Sequence, residues 1–248
     1  MSKKQLKRTP IPRQGKFTSG ILKVRVKEVL VCSDIHVPAE SKLWLNRLLA
    51  YRKKHKISHI IIAGDFWNHD SVSRWELKDP FLNLRKELER GKEVLKQLTK
   101  EAHVYLICGN HDIRMPRALN HALSFVEWMK MIHTFNLTVT DNDFLMLLSG
   151  TRNFRICHPH KAYSRVKGKQ VSAHAHDLQC DAMMGHQHYL SVMTNSTGKY
   201  VCVDLGCMCD PKAFMYKQAS TTRHPEWENG FIHVKEGKIK LISDYTFE

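Results

Sequence analysis

The 248-residue sequence predicts an α/β chain with an α+β second half, read from three observations. Apolar strand-like runs alternate with helical segments as far as about residue 135, the signature of parallel crossover units. Short apolar runs separated by polar turns then follow. Five runs along the chain end abruptly in Asp, Asn or His, and open sheets gather ligand sites at the carboxyl ends of their strands.

Val29-Leu30-Val31-Cys32 is wholly apolar and reads as a buried strand that delivers Ser33-Asp34-Ile35-His36 to its C-terminal end. Pro38 breaks the chain. From Glu40 to Lys54, Leu43, Leu45, Leu48, Leu49 and Tyr51 suit one face of a helix that covers the sheet. Ile60-Ile61-Ile62-Ala63 is a second buried strand, ending in Gly64-Asp65-Phe66-Trp67-Asn68. A longer helix is expected over 81–102, with Leu84, Leu88, Leu95 and Leu98 at near-helical spacing and Gly91 as its weak point. A third strand, Val104 to Cys108, ends in Gly109-Asn110-His111-Asp112. Polarity so concentrated at a buried strand end is tolerated when something there, metal ions above all, offsets its desolvation.

Pro116 suits the first turn of a further helix over 118–132. The runs at 144–148, 154–157, 181–184, 200–205, 230–235 and 238–243 are expected to build a second sheet, with Glu236-Gly237-Lys238 closing a hairpin. Two of these runs also end in ligand-type residues, at His158-Pro159-His160 and at Gly185-His186-Gln187-His188.

Composition bounds the rest. A hydrophobic content of 42% supports a real core, and residues 23–248 are read as one domain. Residues 1–22 carry Lys3, Lys4, Lys7, Arg8, Arg13 and Lys16 without an acidic neighbour and read as a flexible basic tail, either a nucleic-acid arm or a solvated terminus. A formal charge of +15 favours polyanionic partners and equally suits solubility. Seven cysteines without a CxxC pair argue against a disulfide framework and for a reducing, cytoplasmic compartment. No run is long enough for a membrane span, and the basic start lacks a signal-peptide core, so neither export nor a membrane partner is expected.

Collected, the strand ends offer Asp34, His36, Asp65, Asn110, His158, His186 and His188. Seven ligands exceed the needs of one tetrahedral ion. Two ions bridged by one carboxylate, with Asp65 on the central strand as the bridge, would use them all, as in hydrolytic two-metal sites. Imidazole mixed with carboxylate and amide oxygen favours divalent transition metals, Mn first and Fe, Zn, Ni or Co as alternatives.

In order, Asp34-Ile35-His36, Gly64-Asp65 with Asn68, Gly109-Asn110-His111-Asp112, His158 and Gly185-His186-Gln187-His188 resemble the five blocks of the calcineurin-like metallophosphoesterases. That family includes Mre11/SbcD-type nucleases, cyclic-nucleotide phosphodiesterases and protein phosphatases. The resemblance implies a four-layer α-β-β-α sandwich of two mixed β-sheets flanked by helices. It also implies that Asp34, His36 and His188 hold one ion, that Asn110, His158 and His186 hold the other, and that Asp65 bridges. A metal-bound hydroxide would then attack phosphorus in line. His111 would face the substrate as the catalytic residue, stabilising negative charge or protonating the leaving oxygen.

Weaker candidates surround these. Asn68 and Asp112 would orient a neighbour or cap a turn, and His69 and Asp70 would make outer contacts. His160, Lys161, Arg165, Lys167 and Lys169 would grip phosphate at the mouth or belong to a solvated loop, and His174 and His176 are read as surface or helix-start residues. Phe66-Trp67-Asn68-His69-Asp70 stands where the protein phosphatases carry an Asp-Arg-Gly run, which favours a phosphodiesterase acting on nucleic acid or nucleotides. Trp67, Arg74 and Trp75 would stack on bases or pack internally. A phosphomonoesterase or protein phosphatase of the same fold, and a catalytically silent binding or scaffold module, are the alternatives.

Overall fold

In a computed structural model of the chain, residues 15–73, 83–161, 163–214 and 227–247 are described. Strands β1 (Lys16–Thr18), β2 (Leu22–Arg25) and β3 (Glu28–Cys32) lead into α1 (Lys42–His55) and β4 (His59–Ile62). Helix α2 (Leu84–Thr99) and β5 (His103–Leu106) follow, then α3 (Arg114–Ala118), α4 (Phe125–Ile132) and β6 (Leu137–Thr140). The second half holds β7 (Phe144–Ser149), β8 (Arg152–Cys157), α5 (Lys169–Leu178), β9 (Asp181–Met184), β10 (Leu190–Thr194), β11 (Val201–Leu205), β12 (Phe231–Lys235) and β13 (Lys238–Ile242).

Two mixed sheets result. The seven-stranded sheet runs β1-β6-β5-β4-β3-β12-β13, and the six-stranded sheet runs β10-β11-β9-β8-β7-β2. The strands β1, β6, β5, β4 and β3 are mutually parallel, whereas β12 joins β3 antiparallel. Alternating side chains explain why these strands read as unbroken apolar runs: Val29, Val31 and Ile61 face Leu145, Phe154, Met183 and Val203 of the second sheet, while Leu30, Cys32, Ile60 and Ile62 face Trp44, Leu48, Val94 and Leu98 of the helices. Helix α5 covers the outer face of the second sheet through Val171 and Ala175. The four layers expected from the sequence are therefore present.

Four details differ from expectation. The β12–β13 hairpin closes at Glu236-Gly237 but joins the first sheet, not the second, because alternation within a hairpin does not specify which edge it pairs with. The expected helix over 118–132 is two helices: Asn120 and His121 adopt left-handed backbone, and α4 starts afresh at a Ser124–Glu127 capping box. Lys16–Thr18 pairs with β6 and Leu22–Arg25 with β7, so the folded part starts before the boundary drawn at residue 22. In α1 the buried face is made by Trp44, Leu45, Leu48 and Tyr51, while Leu43 is exposed.

Trp67 lies fully inside, stacked on His69 at 5.3 Å, with its indole N–H directed at Met129 Sδ, so it cannot serve as a base-stacking platform. Arg74 and Trp75 lie outside the described residues. Among the described residues no helix is long and apolar enough to cross a membrane, and none of the seven cysteines is in a disulfide.

Gly91, which the sequence marks as the weak point of α2, is the contact that lets the helix lie on Trp67. A Cβ there would stand 2.1 Å from the indole ring. Gly91→Ala should therefore destabilise the fold by about 1–3 kcal/mol through overpacking, although the same change in an open helix would stabilise it by about 1 kcal/mol. Urea unfolding decides the sign, and a more stable variant would contradict this packing.

Candidate metal centre

The strand ends of β3, β4, β5, β8 and β9 meet at one edge of the sheet sandwich. The backbone N–H groups of Asp34 and His36 donate to the carbonyls of Gly64 and Asp65, which stitches the first two ends together. His111 N–H donates to Asp65 Oδ1 at 2.8 Å, and His186 N–H to Asp34 Oδ2 at 2.9 Å, which adds the third and fifth. Gly109 is required by close approach, since a Cβ on it would lie 2.1 Å from Asp65 Oδ1.

Five of the seven candidate ligands have left-handed backbone: Asp34, His36, Asp65, His186 and His188, with φ between 49° and 81°. Asp and His enter this region more readily than most side chains, yet each such residue costs on the order of 1–3 kcal/mol. Such geometry turns each side chain back toward its neighbours.

With His158 they form two triads whose ligand atoms lie within 4.8 Å of one another, Asp34–His36–His188 and Asp65–His158–His186, and His36, Asp65 and His111 come equally close. Asp65 Oδ2 links them, lying 3.7 Å from His36 Nε2 and 3.2 Å from His158 Nε2. Asn110 Oδ1 is 3.1 Å from His158 Nε2. His158 Nδ1 donates to the Ala63 carbonyl at 2.7 Å, so its Nε2 lone pair, when the ring is neutral, points at two oxygen acceptors. The Nε2 atoms of His36 and His188 likewise face each other at 3.4 Å. Acceptors aimed at acceptors call for a cation or protons between them, and the donor set suits divalent transition ions.

Without such ions the site holds protons. Burial opposes charge at every group here. His188 and His158 nonetheless hold Asp34 well below the usual carboxylate range, and His158 does the same for Asp65. Burial disfavours the His158 imidazolium, but Asp65 and Asp34 outweigh it and raise its pKa to about 9; for His188, Asp34 overcomes burial and raises it to about 10. Burial and the neighbouring His158 lower His186 to about 4.

His111 sits between Asn68 and Arg114. Its Nδ1 lies 3.0 Å from the Asn68 carbonyl and 3.1 Å from Asn68 Oδ1, and its Nε2 lies 3.1 Å from the Arg114 guanidinium. Burial, opposed by Asp65, pushes the imidazole well below its ordinary pKa, so in this arrangement the fixed positive charge belongs to Arg114 rather than to an imidazolium. Arg114 also pairs with Asp70 at 2.7 Å, and Asp70 accepts from Asn68 Nδ2 at 2.8 Å. Arg114 was missed in the sequence; its position three residues after His111, across the turn into α3, is the signal that could have found it.

Asp112 acquires a role. Its Oδ1 accepts from Trp67 N–H at 2.9 Å and its Oδ2 from Gly109 N–H at 2.8 Å, clamping the β5 turn to the β4 loop. Burial and Asp65 push it up to about 7 against those two donors. His69 contacts Glu87 at 2.9 Å beneath Trp67, away from the two triads.

A cleft of about 430 Å³ opens beside Asn110, lined by Val72, Ser73, Arg114, Arg117, Ala118 and His160. His160 thus reaches it, with Nε2 3.2 Å from the Cys108 carbonyl. Lys161 and Arg165 are exposed and do not line it; Lys167 pairs with Glu228, and Lys169 starts α5. His174 and His176 lie in α5, His174 beside Cys157 Sγ.

A family model, the calcineurin-like phosphoesterase superfamily domain, matches residues 28–222, and the chain belongs to that superfamily. The structure of YfcE, a phosphoesterase from E. coli, is similar with a TM-score of 0.51 at 16% identity, covering 88% of this chain and 94% of that one. This likeness shows a shared fold. Vps29 from Chaetomium thermophilum gives 0.47 at 13% identity over 87% of each chain, and an archaeal phosphodiesterase gives 0.44 at 12% over 87% and 99%. No curated protein matches the chain in sequence.

Two expectations follow. Asp112→Ala leaves the Trp67 and Gly109 N–H groups buried without an acceptor and should cost about 1–3 kcal/mol for each group left unpaired, read by urea unfolding; a neutral change would remove the clamp from the account. In chelator-treated protein, the raised pKa values of His158 and His188 contribute stability that is complete below about 6.5 and fades as pH rises through about 9 to 10. Asp34 and Asp65 contribute above their unfolded range, near 4, and lose that contribution on acidification. The metal-free unfolding midpoint should accordingly fall between pH 6.5 and 10, and a flat profile over that window would contradict the assignment.

Proposed function

We propose that the protein is a metal-dependent phosphodiesterase acting on nucleic acid or nucleotides. The observation that carries this reading is the meeting of two ligand triads at Asp65 beside an arginine-lined cleft. Asp34, His36 and His188 would hold one ion, Asn110, His158 and His186 the other, and Asp65 would bridge them. Two divalent transition-metal ions, Mn first and Fe, Zn, Ni or Co as alternatives, would supply Lewis-acid charge and lower the pKa of the attacking water.

The chain's own groups do the rest. Asn68 holds the Nδ1 side of His111 and so aims Nε2 outward, edge-on to His36 with ring centroids 4.5 Å apart. Arg114, braced by Asp70, can leave the imidazole and grip a phosphoryl oxygen, a planar two-point contact that suits guanidinium. The freed Nε2 then takes a proton from solvent in the cleft, which makes the ring an imidazolium, and delivers it to the leaving oxygen, returning the ring to neutral. His160 and exposed Arg117 line the cleft that would receive the flanking part of the substrate. The formal charge of +15 favours a polyanion.

The test is hydrolysis of bis-p-nitrophenyl phosphate and of the monoester, with Mn and with chelator. The diester is the expected better substrate, with His111→Ala and Arg114→Ala each lowering kcat/KM by roughly 100-fold or more. Absence of metal-dependent turnover of either ester contradicts the proposal. On a panel of single- and double-stranded DNA, RNA, cyclic nucleotides and capped dinucleotides, cleavage confined to small nucleotides would rule out the polymer substrates.

A further inference from the structure

The loop after β11 sets Cys207 and Cys209 against His188, and all three side chains are buried. Two sulfurs and one ring nitrogen lie within 4.8 Å of one another. His188 Nε2 is 3.0 Å from Asp34 Oδ1, whereas its Nδ1 is buried without a well-formed hydrogen bond, and the ring interacts with the Cys207 thiol. A ligating imidazole ordinarily donates its second nitrogen's proton to a carboxylate, a carbonyl or water, as His158 does to Ala63. For His188 the buried neighbours are the thiols of Cys207 and Cys209.

The loop is held rigidly. Met208 N–H donates to the Ser33 and Asp34 carbonyls, and the Asn229 side-chain amide donates to the carbonyls of Cys207 and Cys209. The Trp227 ring packs 3.9 Å from the His188 ring and Phe214 closes the same side. Neither cysteine is in a disulfide.

We propose that His188, Cys207 and Cys209 form a separate site for a thiophilic ion such as Zn, Cd or Cu(I), and that this site shares His188 with the carboxylate–imidazole centre. Two thiolates and an imidazole select soft and borderline ions, whereas the neighbouring triads, each one carboxylate and two imidazoles without sulfur, admit harder ions such as Mn. Tetrahedral Zn, with bonds of about 2.3 Å to sulfur and about 2.0 Å to nitrogen, spaces its ligand atoms roughly 3.5–3.8 Å apart, so atoms within 4.8 Å need only a small adjustment. Two thiolates also neutralise a dication, which favours its burial.

Sharing makes the two uses exclusive. A neutral imidazole has one lone pair. When Nδ1 ligates the thiophilic ion, the proton sits on Nε2, which then donates to Asp34 and cannot hold an ion there. An ion on the cysteines thus acts as an off-switch for the other centre. This exclusion rests on the ligand role proposed above for His188; the thiol site itself does not.

The test adds one equivalent of Cd(II) to Mn-loaded protein. A thiolate-to-cadmium charge-transfer band in the ultraviolet is expected, with release of Mn read as the free-ion electron paramagnetic resonance signal. The band should vanish in the Cys207→Ser/Cys209→Ser double variant and persist in Cys202→Ser, whose thiol is buried outside the cluster. No band, or a band surviving in the double variant, overturns the site; a band without Mn release overturns the sharing of His188. Should the double variant not fold, X-ray absorption on the wild type decides: two sulfur neighbours around Cd support the site, and a shell of oxygen and nitrogen alone overturns it. The band is independent of turnover, so a protein that hydrolyses no diester can still show it.

Discussion

The Asp65 carboxylate is the constraint on which the rest of the structure depends. One oxygen takes the backbone N–H of His111, fixing the turn after β5, and the other faces His158 and His36 from opposite triads. A buried carboxylate is costly without compensation. Here the compensation comes from four strand ends at once, so both sheets must close correctly before Asp65 is satisfied. Gly109 leaves room for this approach, and Asp112 holds the turn that carries it. The centre is thereby linked to the hydrophobic core through Trp67, whose backbone N–H meets Asp112 and whose ring rests on Gly91 of α2.

Much of this was legible in the sequence because burial on both faces leaves an unambiguous mark. Val29–Cys32, Ile60–Ala63 and Val104–Cys108 are apolar at every position, and a polar residue immediately afterwards can belong only to the strand's end. Three of the five polar strand ends follow from that pattern, whereas the four layers were implied by the resemblance of the five blocks taken together. The hairpin β12–β13 did not declare its sheet, since its turn pairs the two strands with each other but does not fix which edge they join. The break between α3 and α4 was hidden because Leu119, Ala122 and Leu123 continue a helical composition across a turn that left-handed Asn120 and His121 impose.

Within the centre, residue identity was legible but posture was not. The left-handed backbone at Asp34, His36, Asp65, His186 and His188 arises from closing two sheets around a common point and leaves no compositional trace. Trp67 looks like an aromatic near a site, and only the packing of α2 shows it to be core. Arg114 and Cys207 were overlooked for a related reason: each acts on a residue, His111 or His188, whose side chain comes close only after the turns have formed. Lys161 and Arg165 stand near the fourth block in sequence yet are exposed and do not line the cleft, and proximity in sequence alone could not show this.

On the proposed reading the strand-end cluster would hold two ions bridged by Asp65. Anomalous diffraction from Mn-soaked crystals tests it most directly. Two peaks about 3.5–4 Å apart are expected, one beside Asp34, His36 and His188 and the other beside Asn110, His158 and His186, with Asp65 between them. A single peak, or ions bound only outside this cluster, would contradict the account.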